Sequence, residues 1–290
     1  MLKAHIGHAA AALFALSVLA GGTVSVARAQ INELPAEIVR DTDGLSPEQV
    51  RAVQEYVTPL LPGLAAELSP DVRRARSELL RPLQDADAGV PFRLEYTRVL
   101  LPELTRLSEN SNDVIAVNAL RLAGELATDA AANLAVRRLE SPAVSVRFAA
   151  SSALGSTFRT ASGRFPALTR EGAAQVITAL GRRVGTERDA FVTDAQVRAL
   201  VQASRASAPE LDLRAPAMTA LADGLTARLK SAGNETVEAA AVDALIRAAA
   251  GMRDTLAPGQ ARAVNAETAR RAEALALEML NYVSRVVQAR

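Results

Sequence analysis

Residues Ser141–Gly155 read SPAVSVRFAASSALG, and this stretch decides the fold. Ser141 followed by Pro142 has the form of a helix start, because a serine oxygen accepts from an unpaired first-turn amide and proline fits the first helical position without losing a bond. Val146, Ala150, Ala153 and Leu154 then share one helical face. Gly155 follows, where small size allows a tight exit. The stretch is too short to bury its stripe alone, so it reads as half of a larger unit.

The frame returns along the chain. Ile115, Ala119, Leu122, Ala123 and Gly124 repeat it 31 residues earlier, and Val237, Ala241, Ala244 and Leu245 repeat it later. Weaker copies begin at Val72, with Arg76 in a small-residue position, and at Val197, with Val201. An amphipathic stretch precedes the later copies: Leu94–Leu107, Asn133–Leu139, Gly172–Val184 and Met218–Leu229. The unit is therefore a helix pair, and a pair that cannot cover its own apolar face must stack on its neighbours.

Apolar residues recur every three or four positions almost throughout, and runs of β-branched or aromatic residues are missing, so the chain is expected to be all-α. Helices are expected near 47–58, 70–84, 91–107, 112–126, 129–139, 142–156, 171–184, 193–206, 215–230, 235–252 and 262–289. Ser46-Pro47-Glu48-Gln49 and Ser69-Pro70-Asp71 mark two starts, and Thr193-Asp194-Ala195-Gln196 suggests a capping box. Ala272, Leu275, Ala276, Met279, Leu280, Val283 and Val287 form a broad stripe on the last helix, with Arg285 placed away from it.

The phrase Leu139-Glu140-Ser141-Pro142-Ala143-Val144-Ser145-Val146-Arg147, continuing to Ala150 and Ala153-Leu154-Gly155, resembles the HEAT repeat. The likeness is good over 91–157 and patchier over 171–252. It implies an α-solenoid, a HEAT/armadillo-like superhelix of stacked antiparallel helix pairs, whose second helices build a concave face for a protein partner without catalysis. Arg147 matches the repeat's Val-Arg arginine, a position that implies a brace to a neighbouring acid or, alternatively, a ligand contact. Copies spaced 43, 31, 51 and 40 residues apart leave the repeat number and register open, and a bundle of unrelated helices is the competing architecture.

Lys3, the apolar run Ala9–Ala20 and the Ala27-Arg28-Ala29 finish have the form of a secretory signal, short for a membrane span. The expected organisation is a signal peptide over 1–29, an N-terminal segment with a capping helix over 30–69, HEAT-like repeats over 70–257 and a C-terminal capping helix over 258–290. A periplasmic or secreted protein is expected, touching a membrane only transiently through its signal. Cleavage after Ala29 removes Lys3 and Arg28 but no acid, taking the formal charge from +1 to +1 − 2 = −1, which does not favour nucleic acid.

Cleavage also removes His5 and His8. With no cysteine in the chain, the mature protein holds neither of the residues that most often serve as base, thiol nucleophile or zinc ligand, and Lys230 is its only lysine. No cofactor and no enzyme activity are expected; a carboxylate-dependent enzyme stays as the remote alternative, against a chain with no Trp and 3% aromatics. Asp41-Thr42-Asp43-Gly44 lacks the twelfth-position glutamate of a calcium loop.

The expected function is an exported protein-interaction scaffold. Charge is polarised: residues 30–72 hold eight acids against Arg40 and Arg51, net −6, whereas 137–188 hold nine arginines against Glu140, Glu171 and Glu187, net +6. An Arg-rich middle suits an acidic protein or, as the alternative, an anionic envelope polymer. Arg121, Arg182 and Arg183 are the candidate partner contacts.

Overall fold

The computed structural model describes residues 33–66, 69–208, 211–232, 239–257 and 265–288. The leader read at 1–29 lies outside these, as does Val237 of the last copy. The described chain is all-α: α1 (Ala36–Val39), α2 (Pro47–Val57), α3 (Leu61–Leu64), α4 (Ser69–Leu80), α5 (Val90–Ser108), α6 (Asp113–Leu126), α7 (Asp129–Arg138), α8 (Val144–Ala161), α9 (Arg170–Thr186), α10 (Ala190–Ser204), α11 (Arg214–Ser231), α12 (Ala239–Leu256) and α13 (Ala266–Gln288). The one strand pairing among the described residues is a two-residue antiparallel clip, Ser207–Ala208 against Leu211–Asp212, between α10 and α11.

Polar caps fix several starts. Ser46 and Gln49 form the reciprocal capping box of α2, the Ser46 oxygen accepting from Gln49 N (3.3 Å) and Gln49 Oε1 from Ser46 N (2.6 Å). Asn112, Thr128 and Thr169 cap α6, α7 and α9. Asp41 binds the amides of Asp43 and Gly44, so the Asp-Thr-Asp-Gly run is a turn into α2, with Gly44 at φ 121°.

Two expected starts and one expected stop are corrected. Ser141 does not cap a helix at Pro142: its Oγ accepts from Ala143 N (3.3 Å), and α8 begins at Val144. Thr193 and Gln196 are not a capping box but buried residues inside α10, which Asp189 caps through Val192 N at 3.0 Å. Gly155 is not an exit, because Thr157, Phe158 and Ala161 continue the buried face of α8 for another turn and a half. The chain instead leaves α6 at Ala127, in the left-handed region at φ 53°.

The helices pack as two rows. Even-numbered helices contact in the order α4, α6, α8, α10, α12, and odd-numbered ones in the order α5, α7, α9, α11, α13, with successive helices joining the rows. A continuous apolar cluster runs from Ala116 on α6 to Tyr282 on α13. Backbones approach closely at small residues. A Cβ on Gly124 would lie 2.7 Å from Ala153 O, and one on Gly224 would lie 2.5 Å from Gly181 O, so glycine is what lets α6 meet α8 and α9 meet α11 at these distances. Gly155 faces Ala199 of α10 more loosely, at 3.6 Å.

These contacts set the register, and they move two copies. Gly124 meets Ala153, and Gly155 meets Ala199 in the same relation, which places the α10 copy at Val192, Gln196, Ala199 and Leu200. Val201 against Gly251 then places the α12 copy at Ala244, Ala248, Gly251 and Met252, all buried. The frames expected at Val197 and Val237 are therefore shifted by five and seven residues. Gln196 fills an alanine slot, fully buried with both amide atoms unpartnered.

Candidate partner-binding face

Arg147 is spoken for by the fold. Its guanidinium clasps Glu187 through Nε (2.9 Å) and Nη2 (3.0 Å), and Nη1 donates to the carbonyls of Ser141 and Pro142 at 3.0 Å each. The Glu187 side chain is 2% exposed and also accepts from the amides of Arg188 and Asp189. Burial pushes the Glu187 carboxyl up, but the Arg147 hydrogen bonds and those two amides outweigh it and hold the carboxyl below its ordinary range. The Val-Arg arginine is a brace tying the start of α8 to the α9–α10 turn.

What the even-numbered row presents outward is a groove of different make. Its floor is small: Ser152, Ala153, Gly155 and Ser156 of α8, with Ala195 and Ala199 of α10. Two adjoining hollows of about 280 and 300 Å³ share Ser152 and Ser156, the first walled by Arg76, Leu80, Arg121 and Glu125, the second by Phe148, Arg159, Arg198 and Gln202. The corrected register explains the alignment, since Arg121, Ser152 and Arg198 occupy equivalent positions on α6, α8 and α10.

Charge along this groove is unevenly answered. Arg159 pairs with Glu125 at 2.7 Å, while Asp194 serves both Arg198 and Arg247, the latter at 2.9 Å. Among the described residues, Arg76 has only the Asn118 side-chain oxygen. Its guanidinium is drawn below the ordinary arginine range, first by burial and then by the positive charges of Arg121 and Arg73. Arg121 is exposed and has no ion-pair partner among the described residues. Counting Arg76, Arg121, Arg159, Arg198 and Arg247 against Glu125 and Asp194 leaves 5 − 2 = 3 positive charges in excess.

Of the three arginines singled out from sequence, only Arg121 lies here. Arg182 and Arg183 belong to α9 in the other row. Arg182 borders a separate hollow between α9, α11 and the start of α13, alongside Asp223, Glu267 and Arg271, which are ion-paired together. Arg183 turns inward, with Nη2 3.8 Å from Glu187 and Nε buried and unpartnered, so it joins the brace. Arg76, Arg159 and Arg198 were not singled out. Their signal was the helix register: Arg121 and Arg198 recur two residues before the core positions Ala123 and Leu200.

No family model matches the chain, and no curated protein does. Among solved structures, it is similar to the crystal structure of an engineered protein, a structural-genomics target, at 19% identity and a TM-score of 0.38 over 77% of this chain and 97% of that one. A likeness that remote transfers no function.

Proposed function

We propose that the chain is an exported, non-catalytic interaction scaffold, an α-solenoid of HEAT-like helix pairs whose second-helix face holds an acidic segment of a protein partner. The two-row packing order supports the solenoid, because each helix from α6 to α11 touches the two before and the two after it in the chain. The leader-like first 29 residues support export, and a mature chain without histidine or cysteine supports a role outside catalysis.

One observation carries the reading of the face: Arg76 and Arg121 stand together with no acid paired to either among the described residues, above a groove floored with serine, alanine and glycine. Like charges held together cost energy in the free protein and are relieved by a carboxylate ligand, which arginine binds with two parallel hydrogen bonds. The small floor admits the backbone of that segment, and Phe148, 42% exposed, offers it an apolar contact.

Affinity capture from envelope extract, read by mass spectrometry, tests this. The wild-type chain should retain a defined protein, and Arg121→Glu should reduce its retention at least about tenfold without lowering the melting temperature, since Arg121 is exposed and pairs with no acid among the described residues. Equal retention by the variant, or retention of anionic polymer in place of protein, would count against the assignment.

A further inference from the structure

The α13 stripe expected to be covered is half bare: Ala272 and Leu275 are buried, but Leu280 is 69% exposed, Val283 55% and Val287 67%. Arg285, expected on the far side, is instead half-buried and donates to Leu229 O at 3.1 Å. Rotating α13 so that Arg285 and Tyr282 face α11 leaves the aliphatic row outside. Of eleven exposed large hydrophobic side chains among the described residues, six lie on the last two helices: Val242 and Ile246 on α12, and Leu277, Leu280, Val283 and Val287 on α13.

Four of them, Val242, Ile246, Val283 and Val287, line a groove of about 410 Å³ between α12 and α13 together with Met279, and Leu277 and Leu280 stand beside it as a ridge. The spacing of both walls is that of a packing seam: 242, 246, 249 on α12 and 279, 283, 286 on α13 run in steps of four and three. Six aliphatic side chains at these exposures present on the order of 500 Å² of apolar surface, the size at which a patch marks an interaction site. A terminal layer of stacked helix pairs is ordinarily polar outward. This one is not.

We propose that the occupant is a second copy of the chain, docked about a twofold axis so that the α12–α13 pairs of two protomers form a four-helix bundle. A twofold interface requires one patch to carry both ridge and groove, and this patch does: the Leu277, Leu280 and Val287 ridge of one copy is of the length and apolar character to fill the α12–α13 groove of the other. Charge does not oppose it. α12 carries Asp243 and Asp254 against Arg247 and Arg253, and α13 carries Glu267, Glu273 and Glu278 against Arg270, Arg271 and Arg285, so each helix is net neutral. The patch supplies more than half of the roughly 800 Å² per partner that a standard interface buries, with the polar rim supplying the rest. The positive groove of the other even-numbered helices stays free on each copy.

Sedimentation equilibrium of the purified full chain tests the proposal. The wild type should sediment as a dimer, twice 30.5 kDa, and dissociate on dilution. Leu280→Glu, on a side chain 69% exposed in its own chain, should raise the dissociation constant by about 100-fold or more with unchanged helicity. Ile246→Glu, on the opposite wall, should do the same. A wild type that is monomeric at every concentration would overturn the proposal and leave the groove to another ligand; a dimer that survives both substitutions would place the interface elsewhere.

Discussion

Replacing Arg147 with methionine lowers the free energy of unfolding by about 3–5 kcal/mol, the cost of leaving a buried carboxylate without its partner. Four interactions go at once: two to Glu187 and one each to the carbonyls of Ser141 and Pro142. The second member of the pair makes the test specific. Glu187→Gln in the same chain removes the stranded charge while its side-chain oxygen still accepts from the amides of Arg188 and Asp189, so the double variant should recover a large part of the loss. Chemical denaturation of the three proteins measures it.

The pH dependence has a defined sign. In the wild type the Glu187 carboxyl is held below its unfolded value, so its contribution is complete above the ordinary glutamate range and is lost as pH falls through the lowered value. In Arg147→Met the arginine's lowering is gone while the amides of Arg188 and Asp189 and the nearby Arg183 remain, so the carboxyl's value rises relative to the wild type and the variant loses less stability on acidification than the wild type does. The gap between the two proteins should therefore narrow on acidification. A gap that stays constant would mean that Arg147 acts by packing alone.

Gly124→Val is the second large effect, about 3 kcal/mol or more, because the added carbon lies 2.7 Å from a carbonyl oxygen and 2.8 Å from a Cα of α8, and backbone cannot give way as a side-chain tip can. Gly155→Ala is the contrast. Its Cβ would rest 3.6 Å from Ala199 Cα, an ordinary contact, and alanine is the better helix former by up to about 1 kcal/mol. Thermal melts should show the first variant falling well below the wild type and the second matching or exceeding it. If both were neutral, α6 and α8 would not approach as closely as described.

The same glycines show how much the sequence made legible. Helix content and the pairing of helices follow from apolar spacing, and the copies at Ile115 and Val146 read correctly because alanine and glycine mark their close contacts. Later copies hid their register. In α10 a buried Gln196 stands in the alanine slot and Val201 in the glycine slot, so an apolar frame five residues on, at Val197, is the more regular one in sequence. In α12 Gly251 marks the contact, but the earlier alanines of the same helix offered an equally regular frame. With the register unknown, Arg121 could be named but not joined to Arg198, and Arg182 with Arg183 looked alike although one borders solvent and the other turns toward Glu187. Rotation of α13 was equally hidden, since the stripe itself does not say which half of it α11 will cover.

Everything proposed for the face rests on the even-numbered helices standing in an open row, with Arg121, Arg198 and Ala250 at equivalent positions on α6, α10 and α12. The chain has no cysteine, so spin labels go where they are placed. Pulsed dipolar distances in Arg121→Cys/Arg198→Cys and Arg121→Cys/Ala250→Cys, diluted with unlabelled protein, measure the row directly. At about 8–10 Å per helix step, the first pair should lie about 20 Å apart and the second about 30 Å. A second distance equal to or shorter than the first would mean that α12 folds back toward α6 in a closed bundle, and would contradict the account.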